Sequence, residues 1–417
     1  MSAPSALRRA RVVDVVSGTV SGPSRIDVRD GRIVAVTAER AGAGAAVLVG
    51  ELDVAGGFVM PGVVTVHTHL SIVFPFSDTD ENEDPALTGY RSATRAWAAL
   101  QAGATTIRCI HEQHRVDIRL REAMQRGWFR GPRVRAGGRA LGVPGGHGQG
   151  AGAVLVSGPE AFYAAACAEL DAGADHVKIF ITGGLAHPGE RPADPEMSDD
   201  EMAAVVRAAA RYERYVVAHA GESTAIGWAL DAGVTSFEHA YLVDEPTAER
   251  LAAPGIFVSP TLVVTNSPDT MRENGFAEHS MDNARAAAPE HLISVRRLID
   301  AGVTLTHGTD YPPGQLVNGV SAIVAEAELL VAAGLSAPAA LRAMTVNGAA
   351  LCRLPDVGTV APGQRADLLV LGADPTVSIA ALRELRLIIA DGSTVPPAGD
   401  MADRRPADQR DAPERPR

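Results

Sequence analysis

Through the middle of the chain a short apolar run, a polar cluster and an Ala-rich amphipathic stretch succeed one another repeatedly. Near-identical tetrads mark the joints: Gln101-Ala102-Gly103-Ala104, Asp171-Ala172-Gly173-Ala174, Asp231-Ala232-Gly233-Val234 and Asp300-Ala301-Gly302-Val303. Each closes a helical pattern and opens a β-rich run: TTIRCI, HVKIFIT, TSFEHA and TLTHGTD. A glycine just past a helix takes the left-handed conformation that ends it. Helix, glycine and buried strand in repetition is the pattern of βα units with parallel strands. Any α/β protein can reuse such a joint, but this many copies favour a long βα series. Filling the gaps predicts strands near 62–70, 105–110, 133–139, 176–182, 215–220, 235–240, 256–262 and 303–309. Between them ATRAWAALQAG, DIRLREAMQRG, EAFYAAACAELDAG and SDDEMAAVVRAAARY read as helices, the last opened by a Ser198/Glu201 capping box. Eight such units close most economically into a (β/α)8 TIM-type barrel, with a doubly wound open sheet as the alternative.

The flanks are patterned differently. ARVVDVV, RIDVRDGRIVAV and LDVAGGFVM before residue 60, and GTVAPGQRADLLVLG and LRLIIADGSTV after 357, are short apolar strands separated by Asp-Gly or Gly turns, as in hairpins. We expect residues 1–60 and 351–398 to form one small composite β-sandwich domain and residues 61–350 to form the α/β barrel. The tail at 399–417 is Pro- and charge-rich with little that is apolar, and is expected to be disordered.

Composition narrows the partners. The chain has 417 residues, 46% hydrophobic and 21% charged, an ordinary globular balance. A formal net charge of −12 argues against a general nucleic-acid binder. No apolar run is long enough for a membrane span, and Arg8, Arg9 and Arg11 interrupt what would have to be a signal peptide. Cys109, Cys167 and Cys352 are too few and too scattered for a cysteine zinc module and suit a reducing compartment. These features predict a cytoplasmic protein with no nucleic-acid or membrane partner.

In a barrel, chemistry collects at the C-terminal ends of the strands. The first predicted strand ends in His67-Thr68-His69, and alternation turns both histidines to one face. His147 follows the third strand in GGHG, Lys178 lies inside the fourth, His219 and His239 end the fifth and sixth, and His307 and Asp310 end the eighth. A lone strand histidine is more often a hydrogen-bonded core or rim residue than a ligand. Lys178, between Val177 and Ile179, is harder to dismiss, since a buried ammonium is costly unless paired or chemically changed. It could still point outward beneath a helix or pair with an acid. The HEQHR segment at 111–115 suggests a zinc-protease helix, but its histidines are three apart rather than four and lie just after a strand.

Taken together, this constellation resembles the amidohydrolase superfamily. It carries HTH on the first strand, Lys on the fourth, His on the fifth and sixth, and Asp on the eighth. GPRVRAGGRALGVPGGHG, DHVKIFITGG, VVAHAGE, TSFEHA, SPTL and PGQRADLLVLGADP are most similar to the imidazolonepropionase-related branch that holds metal-dependent prolidases, other Xaa-dipeptidases and ochratoxinase-type amidases. The resemblance implies two divalent metal ions, zinc best matching the donors, with Lys178 carbamylated by CO2 as the bridge. By position it implies His67, His69 and Asp310 at one ion and His219 and His239 at the other. It implies a hydroxide nucleophile bridging the metals, with Asp310 as general base and then acid. His147 and Tyr241 are candidates for stabilising the oxyanion or binding a substrate carboxylate, and Arg191 is a weaker carboxylate candidate; Tyr241 could equally be a rim aromatic. The resemblance implies a small-molecule amide or dipeptide substrate and a homo-oligomer. The alternatives are the same scaffold cleaving a cyclic amide, lactone, ester or organophosphate, and an inactive binding homologue. Departures from the pattern sit near the pocket. Cys109 stands where relatives commonly have an acid, His111, Glu112 and His114 follow where relatives are glycine-rich, and the 71–90 loop is unusually acidic.

Overall fold

The computed structural model describes residues 3–39, 48–187 and 189–398. The predicted tail at 399–417 lies outside the described residues. The chain has a mixed α/β fold. Among the described residues no helix is long and apolar enough to cross a membrane.

Segments from both chain ends meet in one eight-stranded mixed sheet. Ala6–Asp14, Thr19–Arg29 and Arg32–Ala38 form an antiparallel meander. Its second turn, Asp30-Gly31, has both residues at positive φ (50° and 72°), the conformation a two-residue hairpin requires. Asp391-Gly392 does the same between Leu385–Ala390 and Ser393–Val395 (48° and 74°). The two ends join where Phe58–Pro61 pairs antiparallel with Leu368–Leu371, Val59 opposite Val370. Leu7, Ile26, Ile33, Val59, Leu368 and Ile389 pack into a common apolar cluster.

Between these flanks run parallel strands connected by helices. Val63–Thr68, Ala104–Cys109 and Arg133–Arg135 form a three-stranded parallel sheet. His176–Phe180, Tyr215–Glu222, Ser236–Leu242 and Phe257–Ser259 run parallel in a six-stranded sheet that also holds Leu141–Gly142 and Val154–Leu155. All four tetrad glycines are left-handed, with φ of 94°, 107°, 97° and 78° at Gly103, Gly173, Gly233 and Gly302. The Ser198/Glu201 capping box opens the Asp199–Arg211 helix.

Three predicted strands differ from what forms, and of 256–262 only Phe257–Ser259 is a strand, the left-handed Thr261 turning the chain into a 3-10 turn at Leu262–Val264. The 133–139 stretch is a strand only over Arg133–Arg135. Beyond it Asp117 accepts from the amides of Gly137 and Gly138 (2.8 and 3.0 Å), and Gly138 turns left-handed, so the chain bends away from the ladder. The 303–309 stretch forms no regular strand. Backbone bonds still hold it between its neighbours: Thr306 N–H donates to Val258 (2.9 Å), Val258 to Thr304 (3.1 Å) and Val66 to His307 (2.8 Å). Gly308 and the left-handed Asp310 (φ 60°) end the extended conformation there, and the amides of Thr309 and Asp310 both donate to the His67 carbonyl at 3.0 Å.

Candidate metal and active site

The ends of the parallel strands open on a single cleft, whose non-atom space, open solvent included, is about 850 Å³. His67, His69, His147, Lys178, His219, His239, Tyr241 and Asp310 all line it.

His67 and His69 project together from the end of Val63–Thr68, their ring centroids 5.5 Å apart. Thr68 faces the other way and donates to the Tyr311 carbonyl (2.8 Å). Asp310 Oδ1 lies 2.9 Å from Nε2 of both histidines. His239 completes a triad with His67 and Asp310, whose ligating atoms all fall within 4.8 Å of one another. Burial opposes charge on His239 and on Asp310, but the nearby histidines outweigh it for Asp310 and hold its carboxyl well below the usual range. For His69, burial is outweighed by the hydrogen bond its imidazolium donates to Asp310, which holds the imidazole above its ordinary value.

The far nitrogen of each ring is already committed. His67 Nδ1 meets Glu238 Oε2 (2.7 Å), His69 Nδ1–H donates to the His111 carbonyl (2.9 Å), and His239 Nδ1 meets Thr261 Oγ1 (2.7 Å). Partners of this kind fix the ring orientation and leave Nε2 as the nitrogen available to a ligand.

His239 owes its aim to an irregular strand. It and Ala240 are both left-handed (φ 69° and 56°), and the register with the neighbouring strand slips beyond Ala220. Such backbone at non-glycine residues costs on the order of 1 kcal/mol each. The Glu278–Asp300 helix pins it: His291 Nε2–H donates to the His239 carbonyl (3.0 Å) and Ser294 Oγ to that of Ala240 (2.6 Å). Tyr241 stacks flat on the His239 ring, with centroids 5.1 Å apart and planes within 2°. His219 lies 4.5 Å from His239 between ring centroids, and its Nε2 faces the Gly183 carbonyl at 3.2 Å. His147 packs against His219 (4.2 Å between centroids), its Nδ1 3.1 Å from Glu190.

Lys178 is fully enclosed, and its Nζ has no hydrogen-bond partner. Burial drives its ammonium down to about 8, against the pull of Glu238 and Asp310. The donor set is imidazole, carboxylate and one lysine nitrogen, with no thiolate among the lining residues. Such a set suits a borderline divalent ion such as zinc, and an orphaned buried ammonium beside it fits a site completed by further chemistry.

Glu238 and Arg108 escaped the sequence reading, and Glu112 was noted there without its role. Glu238 is enclosed and carries Arg108 on its other oxygen (2.6 Å); Arg108 also donates to the Val66 carbonyl (2.6 Å). Glu112 accepts from the amides of Leu70 and Ser71, both at 2.6 Å, and so fixes the turn after His69. The signal for all three was the one used for Lys178, a charge in or next to an apolar strand.

His111 lines the cleft, with Nε2–H donating to Ala151 O (2.7 Å) and Nδ1 accepting from Ala140 N (2.9 Å). His114 lies in a left-handed turn before the Val116–Gln125 helix, so HEQHR is no two-histidine helix. Arg191 does not face the site: its guanidinium pairs with Asp194 (2.7 Å), exposed on the loop. His307 also stays out, its Nε2–H donating to the Ile323 carbonyl (2.9 Å). The acids of the 71–90 loop serve local structure. Asp84 caps the Pro85–Gln101 helix, Glu83 pairs with Arg91, and Glu81 accepts from the Gly152 amide.

Residues 58–396 match the Amidohydrolase family. Ochratoxinase of Aspergillus niger is 28% identical over 365 residues, 79% of this chain and 73% of its own. Imidazolonepropionase of Deinococcus deserti is 36% identical over 182 residues, 42% of this chain and 39% of its own. The solved structure of a prolidase complexed with N-methylphosphonate-L-proline superposes with a TM-score of 0.84 at 28% identity, covering 94% of this chain and 99% of that one.

Proposed function

The chain belongs to the amidohydrolase family and is an amide-hydrolysing enzyme; from that premise we propose a binuclear metal-dependent hydrolase that cleaves a dipeptide, an N-acyl amino acid or a related small amide. The observation that carries this is the convergence of His67, His239 and Asp310 within 4.8 Å in the cleft that also holds the enclosed amine of Lys178, which has no hydrogen-bond partner.

We read the parallel strands as a closed (β/α)8 barrel spanning 61–350. The backbone bonds from Val258 and Val66 to the 304–307 stretch support closure there. The eight-stranded sheet is then the composite domain of 1–60 and 351–398, wrapped as a sandwich around the Leu7–Val59–Leu368 cluster.

In this reading His67, His69 and Asp310 would hold one ion and His219 and His239 the other, and Lys178, as a carbamate, would supply an anionic oxygen ligand to the pair. The ammonium first gives up one proton; the neutral amine would then attack the carbon of CO2, one N–C bond forming as one C–O π bond opens onto oxygen and a second proton leaves the nitrogen, so the side chain ends as an anionic carbamate. A pKa near 8 supports this step, since roughly a tenth of the amine is then neutral at pH 7. Zinc bound there supplies Lewis-acid activation of water and of the scissile carbonyl.

The remaining chemistry falls to side chains. Asp310 accepts the proton of the attacking water and returns it to the leaving nitrogen, its approach fixed by the backbone bonds to His67. His147, oriented by Glu190, and Tyr241, stacked on His239, border the place where the carbonyl oxygen would develop charge, or where a substrate carboxylate would rest. Stacking and enclosure limit their motion, which keeps the reorganisation cost low.

Metal analysis and product analysis on N-acyl amino acids, Xaa-Pro dipeptides and lactones test the reading. About two zinc ions per chain and amide cleavage are expected. Asp310→Asn should keep most metal and lose about 10²-fold or more in kcat. Near-normal turnover in that variant removes Asp310 from its role, and no metal after reconstitution removes the binuclear centre.

A further inference from the structure

One apolar part of the cleft lining has no use in the chemistry above. It is made by Ile72, Phe76, Leu185, Val264, Met271 and Phe276. Among the described lining residues, Lys178 is the one lysine or arginine and Asp310 the one acid, and both belong to the proposed ligand cluster. The aromatic part is built, not incidental. Phe74 stands behind it and meets Phe76, Phe276 and Tyr311 edge to face at 5.0, 5.1 and 4.9 Å. Phe276 is further backed by Met271, Met281 and Ala284. Two segments far apart in sequence, the 72–76 loop and the turn after the Pro268–Glu273 helix, thus present one apolar surface in the same cleft as the ligand cluster.

We propose that this wall is a recognition subsite for a bulky apolar group, aromatic or branched aliphatic, carried next to the scissile amide; the inference rests on the amide-hydrolase reading and narrows its substrate class. A charged group placed there would lose hydration without finding a partner, and a small one would leave the rings facing water. The wall's fixed edge-to-face packing favours a flat ring, and the flexible Met271 adapts to branched groups.

The zinc-reconstituted protein is assayed on N-acetyl-phenylalanine, -leucine, -alanine, -aspartate and -lysine, and on N-benzoyl- and N-acetyl-glycine, so that either side of the bond can carry the group. In at least one series the aromatic or branched member should exceed the small member at least about 10-fold in kcat/KM, and the charged members should fall below the small one. Phe276→Ala should raise KM for the preferred substrate about 10-fold while leaving kcat and the small substrate nearly unchanged; Phe276→Leu, the milder replacement, should fall between. Calorimetry of the metal-free protein with N-acetyl-phenylalanine against N-acetyl-alanine, and with N-benzoyl-glycine against N-acetyl-glycine, reads the subsite without turnover.

Amide cleavage with no apolar preference in either series overturns the subsite and leaves the reaction standing. An aromatic preference in calorimetry without hydrolysis overturns the reaction and leaves the subsite. Equal weak binding with no hydrolysis overturns both.

Discussion

Glu238→Gln tests the support beneath the metal site most directly. Glu238 accepts from Arg108 (2.6 Å) on one oxygen and meets His67 Nδ1 (2.7 Å) on the other, and both Glu238 and Arg108 are wholly enclosed. Burial alone would push this carboxyl up; Arg108, then His67, overcome it and set it near 2. Against the ordinary 4.5 that is a shift worth roughly 3 kcal/mol, in line with the 3–5 kcal/mol that breaking a buried pair costs. A glutamine can satisfy only one neighbour. If its oxygen faces His67, its NH2 confronts the Arg108 guanidinium. If its oxygen faces Arg108, its NH2 donates to His67 Nδ1 and forces the proton onto Nε2, the nitrogen the metal needs.

We therefore expect about 3–5 kcal/mol lost in urea unfolding of the metal-free protein and zinc affinity weakened about 10–100-fold in competition with a chelator. The double change Glu238→Leu with Arg108→Met removes both charges and should regain much of the stability, but not the zinc affinity, because His67 Nδ1 stays without its acceptor. Zinc affinity within about twofold of wild type in Glu238→Gln, at any stability, refutes the tautomer argument. The pair also has a pH signature. A depressed carboxyl stabilises the fold above about 4.5, and that contribution is lost as pH falls towards 2.

Lys178→Ala should lose bound metal and recover part of it with added short carboxylic acids; a fully metallated variant would show that Lys178 is no bridge. Gly184→Ala should retain metal but lower turnover, because the new Cβ would sit 2.2 Å from His147 Cε1; unchanged kcat with a displaced His147 would remove that residue from the reaction. Glu326 accepts from the amides of Leu262 and Val263, and burial raises its carboxyl to about 8 despite them. Between pH 4.5 and 8 the folded chain holds a proton that the unfolded chain has released, so stability should fall as pH rises through that window. Glu326→Gln should flatten this slope in urea unfolding at several pH values, and an unchanged slope would place the titration elsewhere.

Part of the site was readable from one dimension because strand alternation and βα order are local rules. His67 and His69 share a face by period, and Gly103, Gly173, Gly233 and Gly302 end helices because no other residue is at ease there. What the pattern could not give was anything set by contacts across the chain. His239 is aimed by a left-handed kink that His291 and Ser294 hold from a distant helix. The tautomers of His67 and His69 depend on Glu238 and on the His111 carbonyl. Arg191, at a plausible place in sequence, turned instead to Asp194 three residues away.

The sequence by itself determined the alternation of strands and helices, the hairpin turns at both ends and the inventory of imidazoles, carboxylates and one enclosed lysine, because each follows from backbone preference, side-chain period or the cost of burying a charge. Only the tertiary structure decided which nitrogen of each histidine is free, that Glu238 and Arg108 stand behind His67, that the 303–309 stretch is held by neighbours without becoming a regular strand, and that apolar side chains from distant segments line part of the same cleft. These depend on the distance between groups far apart along the chain, and packing alone sets such distances.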